Sequence, residues 1–318
     1  MANLRELMDS YSAGNIGIPA GVLSNLSNEQ VEAITSVRNA EVMVAGENGG
    51  FKKFLDWSKE KAFIPFIEKT GQTSDYGDFA SAKNTALNLN FNEYGHYRFS
   101  ANVAIGDLEL DQLSEIKINA NAFLHSAALE ALAIKANDIY FHGHISNPSN
   151  RYVCYGLLNA PELPAVEAMT KTMAEMTYDE VLEFFGNAVA DLTEQTGGHI
   201  NTNSKIRVFM SAGAMAKFVV KRTQFGVTAK GALADTYPNM EFHSIFELGK
   251  AYNDSDMIYF IGESLAGGVK NSIELGYSEF FKYGRVEAHS TSTEQKVSSG
   301  VVGAVVLKPA FIKRYAGV

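Results

Sequence analysis

The chain has 318 residues, 46% of them hydrophobic and 20% charged, a globular composition long enough for two subdomains or one elaborate domain. Its formal net charge of −9 argues against general nucleic-acid binding, though not against a wall that merely encloses nucleic acid. The single cysteine, Cys154, leaves no room for a disulfide framework or a cysteine-based zinc site, and beside Tyr152, Val153 and Tyr155 it reads as a small buried apolar residue.

The first residues, MANLRELMDSYSAGNIG, lack the apolar core and cleavage signature of a signal peptide. No apolar run approaches the ~20 residues that span a bilayer, so the expectation is a soluble intracellular protein with no membrane partner. Residues 1–50 read as an arm. Leu4, Leu7, Met8 and Tyr11 share one face of a short helix, and a Gly-, Asn- and Ser-rich stretch follows. Ser27 with Gln30 is spaced as a capping box for a helix through Val31, Ile34 and Val37, and Gly46–Gly50 closes the arm as a loop.

A long polar insertion comes next. Phe63–Glu68 reads as a strand, Thr70–Phe79 as a polar tip containing glycine, and Leu87–Val103 as a second extended run. Leu87, Leu89 and Phe91 alternate with Asn88, Asn90 and Asn92, which predicts a half-buried strand with a polar face suited to lying on a neighbouring surface. Asp107 opens a helix predicted to continue past Ala136, with Leu113, Ile116, Ala120, Phe123, Ala127, Ala131 and Ile134 as its apolar stripe. Counted from Asp111 to Phe141 it would be ~45 Å long at 1.5 Å per residue.

After His142 and His144 and the run YGLLNAPELP, the chain alternates helix and strand. Tyr178–Thr196 is predicted as a helix with Val181, Leu182, Phe185, Ala188, Val189 and Leu192 inward, ended by Gly197 and Gly198 in a left-handed cap. Ile206–Met210 reads as a buried strand, Ala212–Val220 as a short helix, and Phe242–Phe246 and Met257–Ile261 as strands. The last quarter is strand-rich: Ser272–Tyr277, Phe280–His289, Gln295–Leu307 and, after Pro309, Ala310–Tyr315.

Three constellations invite an active-site reading, and each fails on its spacing. His142 and His144 stand alone, without the Asp, Glu or His that would complete a metal site, and read as turn histidines at a helix C-terminus. Gly262-Glu263-Ser264-Leu265-Ala266 only loosely imitates a nucleophile elbow, and no partner histidine or aspartate can be named for Ser264. The glycines Gly46, Gly49, Gly50, Gly267 and Gly268 fit neither phosphate-loop nor dinucleotide spacing. The basic run Lys217, Lys221 and Arg222 reads as a solvated or subunit-facing edge. No catalytic residue, cofactor or metal is expected. A long arm beside a long helix, without catalytic machinery, reads as a structural subunit.

In this order the elements resemble the major capsid protein of tailed bacteriophages, a fold shared with encapsulins. The matching stretches are FIPFIEKTGQTSDYGDFASAKNTALNLNFNEYGHYRFSANVAIG for an extended loop and DLELDQLSEIKINANAFLHSAALEALAIKANDIYFHG for a spine helix. Gly156, Leu157, Leu158, Asn159 and Pro161 resemble the G-L-x-N-x-P segment of such proteins, and VVGAVVLKPAFIKRYAGV their closing strand–Pro–strand. The resemblance implies an α+β fold with an arm over 1–50 and an extended β-hairpin loop over 51–106. It implies a peripheral domain from 107–161 and 265–302, and an α/β axial domain from 162–264 and 303–318. Axial domains would meet around five- and six-fold axes, and each loop would overlap the peripheral domain of the next subunit. The loop-tip residues Gly71, Asp75, Tyr76, Asp78, Phe79 and Lys83 are then candidate inter-subunit contacts.

The partners so implied are the chain itself in hexamers and pentamers, a separate scaffolding protein, a portal, decoration proteins, and double-stranded DNA enclosed without sequence-specific binding. The shell would assemble in the bacterial cytoplasm as a loose precursor and flatten on DNA packaging, becoming the capsid of the virion. Lys69 or Lys83 with Asn271 could supply the covalent cross-link some members form. The alternatives are an encapsulin-type compartment and, more remotely, a serine hydrolase using Ser264.

Overall fold

The computed structural model describes residues 39–44, 50–71, 85–115, 120–146, 151–250, 253–263 and 271–318. A four-stranded sheet has the order β1-β11-β12-β4. It joins β1 (Phe51–Lys53), β11 (Ile273–Ala288), β12 (Ser292–Val306) and β4 (Tyr97–Gly106). β11 and β12 form a long antiparallel ribbon, paired from Ile273 opposite Val306 to Ala288 opposite Thr293. β11 is one strand where the sequence predicts two. The apparent break near Tyr277–Lys282 is a series of register shifts, which bend and twist a strand without ending it.

β5 (His144–Ser146) and β6 (Arg151–Cys154) pair antiparallel, and a five-stranded mixed sheet has the order β7-β13-β10-β8-β9. Its strands are β7 (Val166–Ala168), β13 (Ile312–Ala316), β10 (Met257–Gly262), β8 (Ile206–Met210) and β9 (Met240–Ser244). The predicted strand Phe242–Phe246 is shifted: β9 ends at Ser244 and Phe246–Leu248 is a 3₁₀ turn. Likewise Pro309–Phe311 turns before β13, because proline starts a turn well but cannot donate to a ladder.

Helices follow the same logic of local signals and long-range packing. α1 (Asn39–Val44), α2 (Asp107–Glu115) and α3 (Ala120–His142) precede the five-stranded sheet in sequence. The sequence predicts one helix across α2 and α3; its continuity at 116–119 lies outside the described residues. α3 alone spans about 35 Å. α4 (Tyr178–Gln195) carries a full capping box, in which Thr177 accepts from the Glu180 N–H and the Glu180 side chain accepts from the Thr177 N–H. Val181, Phe185, Ala188, Val189 and Leu192 are its buried face, and Gly197 and Gly198 follow at positive φ, as predicted. α5 (Ala212–Val220) falls where the sequence places it, whereas α6 (Ala229–Thr236) was not legible.

Two cores result. One gathers α4, α5 and α6 on the five-stranded sheet through Phe185, Phe218, Leu233 and Phe260. The other ties both sheets together through Ile139 and Phe141 of α3, Phe209, Tyr259, Leu275, Val301 and Ile312. Cys154 sits in it, 1% exposed, its thiol pushed up to about 12 by burial.

The G-L-x-N-x-P segment locks the end of α3 onto these sheets. Asn159 accepts the Gly156 N–H at 2.7 Å and donates to the His142 carbonyl at 2.6 Å. Tyr259 donates to the Leu157 carbonyl at 3.2 Å. A Cβ at residue 156 would stand 2.3 Å from the Phe141 carbonyl oxygen, so the close approach admits only glycine.

Candidate assembly surface

β2 (Lys61–Gly71) and β3 (Thr85–Gly95) form a two-stranded hairpin. The run predicted as one strand over Leu87–Val103 is therefore two, β3 in the hairpin and β4 in the four-stranded sheet, with His96 between them. At the root, Ala62 and Tyr94 are buried with Leu55, Val302 and Val305. Tyr94 donates to the Glu162 carboxylate at 3.3 Å.

His96 is the pivot of this root. Its backbone N–H donates to the Glu60 carbonyl at 2.9 Å. Ring Nδ1 lies 2.8 Å from the Lys59 carbonyl and Nε2 lies 2.7 Å from Ser278 Oγ. The neutral ring fits these partners, Nδ1–H donating to the carbonyl and Nε2 accepting from the hydroxyl. Burial, reinforced by Arg98, holds its pKa below the usual histidine range, against the pull of the Lys59 carbonyl. Arg98 donates to the Trp57 and Lys59 carbonyls at 2.9 and 2.7 Å, tying the same loop to β4.

Beyond the root the hairpin is not half-buried, as its alternation predicts, but exposed. Phe63, Leu87, Leu89 and Phe91 are each more than half exposed. The register sets Pro65 opposite Phe91, so this row occupies one face while Asn88, Asn90 and Asn92 occupy the other. Burying one Leu or Phe side chain is worth about 1.5–3 kcal/mol, and within one subunit these four forgo it. A contiguous apolar face of this kind marks an interaction surface.

α3 presents a second open face. Part of the predicted apolar stripe faces outward: Phe123, Ala127, Ala131 and Ile134 are exposed. The residues that pack on β4 and β12 are Ala128 and Leu132, against Val103 and Val297. Between α1, α3 and the β11–β12 ribbon lies an apolar groove of about 490 Å³, with Phe51, Tyr140, Phe280 and Phe281 in its walls.

Of the loop-tip candidates, Gly71 is the last residue of β2, opposite Thr85. Asp75, Tyr76, Asp78, Phe79 and Lys83 lie outside the described residues, as do Ser264, the expected capping box at Ser27 and Gln30, and the glycines at 46, 49, 267 and 268. Asn271 is buried. His142 and His144 point to separate tasks. His142 Nδ1 is 3.3 Å from Asp138 Oδ1, and the His144 ring stacks on Tyr97 at 3.6 Å. The Asp138 carboxyl, bonded by His142 and Lys135, is held well below the usual carboxylate range. Among the described residues no three His, Cys, Asp or Glu side chains gather to hold a metal.

The family model for the Pa193 gp26 major capsid protein matches residues 9–317. No curated protein matches the chain. Among solved structures, the capsid of Myoviridae Phage XM1 superposes with a TM-score of 0.70 at 14% identity, over 95% of this chain and 99% of that one. The capsid of a native GTA particle gives 0.61 at 11% identity, over 96% and 99%, and Gordonia phage Cozz gives 0.56 at 12%, over 92% and 90%. At these identities the superpositions show a shared fold, whereas the family match runs over nearly the whole sequence. The chain belongs to the family of the Pa193 gp26 major capsid protein, the structural subunit of a phage capsid.

Proposed function

We propose that copies of this chain close into an icosahedral shell of hexamers and pentamers around the double-stranded DNA of a tailed phage. The observation that carries this reading is the apolar row Phe63, Leu87, Leu89 and Phe91 standing in solvent on a hairpin rooted in the four-stranded sheet. The hairpin of one subunit lies across the α3 and β11–β12 face of the next, whose own apolar residues Phe123, Ile134, Phe280 and Phe281 are uncovered. Gly71, Asp75, Tyr76, Asp78, Phe79 and Lys83 extend that contact at the tip. Such a head-to-tail contact between identical copies closes into rings when the rotation it imposes divides a full turn.

Residues 107–161 and 265–302 act as the peripheral domain, residues 162–264 and 303–318 as the axial domain, and residues 1–50 as an arm. A separate scaffolding protein guides assembly in the host cytoplasm, with a portal at one vertex and decoration proteins outside. The subunit's role is structural, with no catalytic step of its own. Its acidic balance of 36 Asp and Glu against 27 Lys and Arg keeps the wall from trapping the packaged DNA.

The test is electron microscopy of the purified wild-type chain beside a Leu87→Ser/Leu89→Ser/Phe91→Ser variant. Closed shells or rings of five and six are expected from the wild type, and folded, unassembled subunits from the variant. A wild type that stays monomeric with and without its accessory proteins removes the proposal.

A further inference from the structure

The turn joining α5 to α6 carries Phe225 at its apex, 85% exposed and the most exposed large apolar side chain among the described residues. This turn is rigid. Arg222 and Thr228 form a bridge, the Thr223 N–H donates to the Val227 carbonyl at 2.9 Å, and the Gly226 N–H donates to the Thr223 carbonyl at 3.0 Å. Gly226 supplies the positive φ that closes it. At the base, the Lys221 ammonium donates to the Ala174 and Met176 carbonyls. A rigid aromatic knob loses little entropy on docking, and aromatic and arginine side chains dominate interface hot spots.

The surroundings of the knob are apolar and cationic. Val219, Val220 and Val227 are exposed beside it. Lys217, Arg222 and Lys230 are exposed on this turn and the helices that flank it, and none forms an ion pair among the described residues, although the chain has nine more acids than bases. The complement lies on the same chain. Asp179, Glu183, Asn187, Ala190 and Glu194 recur at four- and three-residue steps along the exposed face of α4. Asp179, Glu183 and Glu194 also form no ion pair among the described residues.

Building on the shell reading, we propose that the Phe225 turn of one copy docks on the acidic α4 face of the next copy. Two different patches of opposite charge on one chain are what a heterologous, ring-forming contact needs. Nucleic acid fits the turn less well: three cations would find phosphates while Phe225 and three valines stayed uncovered.

The experiment compares full-length variants by sedimentation velocity and electron microscopy, with circular dichroism as the check on folding. Phe225→Ser is expected to raise the concentration needed for shells about tenfold or more, a hot-spot loss. Arg222→Glu/Lys230→Glu and Glu183→Lys/Glu194→Lys are each expected to block assembly, and the four changes together to restore it. Balancing Arg222→Glu/Lys230→Glu with Asp235→Lys/Asp254→Lys instead is expected not to restore it. The contact is overturned if either charge-reversed pair assembles like the wild type, if the combination stays unassembled, or if the balancing control recovers equally. Each of those results leaves the shell reading standing; only failure of the wild type to assemble removes both.

Discussion

Arg207 and Glu263 pair at 3.0 Å with side chains 3% and 8% exposed, next to the end of β10. Burial pulls the Arg207 pKa down while Glu263 and Glu241 push it back, so the buried cation is offset by its acidic partners. Breaking a buried pair from one side costs about 3–5 kcal/mol, whereas replacing both partners by apolar groups costs far less. Glu263→Gln is therefore expected to lower the urea midpoint of the unassembled subunit strongly, and Arg207→Met/Glu263→Leu to recover most of it. No local sequence pattern announces this pair, because it depends on the register of β8 against β10, 56 residues apart. Cys154, by contrast, was legible from its apolar neighbours.

His96 adds a pH dependence of definite sign. Its folded pKa lies below 6.5, so at falling pH the unfolded chain takes up a proton that the folded chain resists. The stability it contributes is complete above about pH 6.5 and declines as pH drops through 6.5 toward the folded value. Arg98 is the charged group that acts on the ring, so the added proton meets a cation as well as burial. Urea midpoints at pH 7.5 and 5.5 are expected to differ more for the wild type than for His96→Gln.

Among the elements, α3 shows what periodicity can and cannot decide. Its sequence, ANAFLHSAALEALAIKANDIYFH, is apolar on more than one face. The three- and four-residue steps from Phe123 to Ile134 and the parallel row through Ala128, Leu132 and Ile139 both qualify as core stripes. Only β4 and β12 choose between them, through Val103 and Val297. Leu132→Ala is expected to cost about 2–5 kcal/mol of stability as a buried truncation. Phe123→Ser/Ile134→Ser is expected to leave unfolding nearly unchanged and to impair shell formation, a split read by urea titration beside sedimentation. The hairpin is the same lesson in strands. Alternation from Leu87 to Phe91 reveals two faces, but a face reserved for another copy has the same composition as one reserved for the core. The C-terminal end was more readable, since Gly197 with Gly198 end the helix they follow, whereas the capping box of Thr177 and Glu180 was missed although its spacing stands in the sequence.

For the molecule as a whole, β8, α5 and β10 lie where their local patterns put them, while the order of strands in the sheets was not written locally. β13, the last strand of the chain, enters the five-stranded sheet between β7 and β10. Ile312 joins the core shared by both sheets, and Tyr315 and Val318 join the one beneath α4. Arg314 donates to the Pro164 and Leu158 carbonyls and so pins the segment leading to β7. Three buried apolar side chains at about 1.5–3 kcal/mol each amount to about 5–9 kcal/mol, a sum comparable to the whole stability of a typical domain. Ending the chain at Phe311 also strips the ladder partner from one edge of β10, exposing backbone that the fold has paired. The truncated chain is accordingly expected to be unfolded or insoluble, with near-ultraviolet circular dichroism and sedimentation showing neither shells nor native subunits. The Leu87→Ser/Leu89→Ser/Phe91→Ser variant is expected to lose shells and keep native subunits, because its apolar row supports contacts between copies instead of the core. A truncated chain that stays native would show that the five-stranded sheet closes without its last strand, contrary to the energetics of its burial.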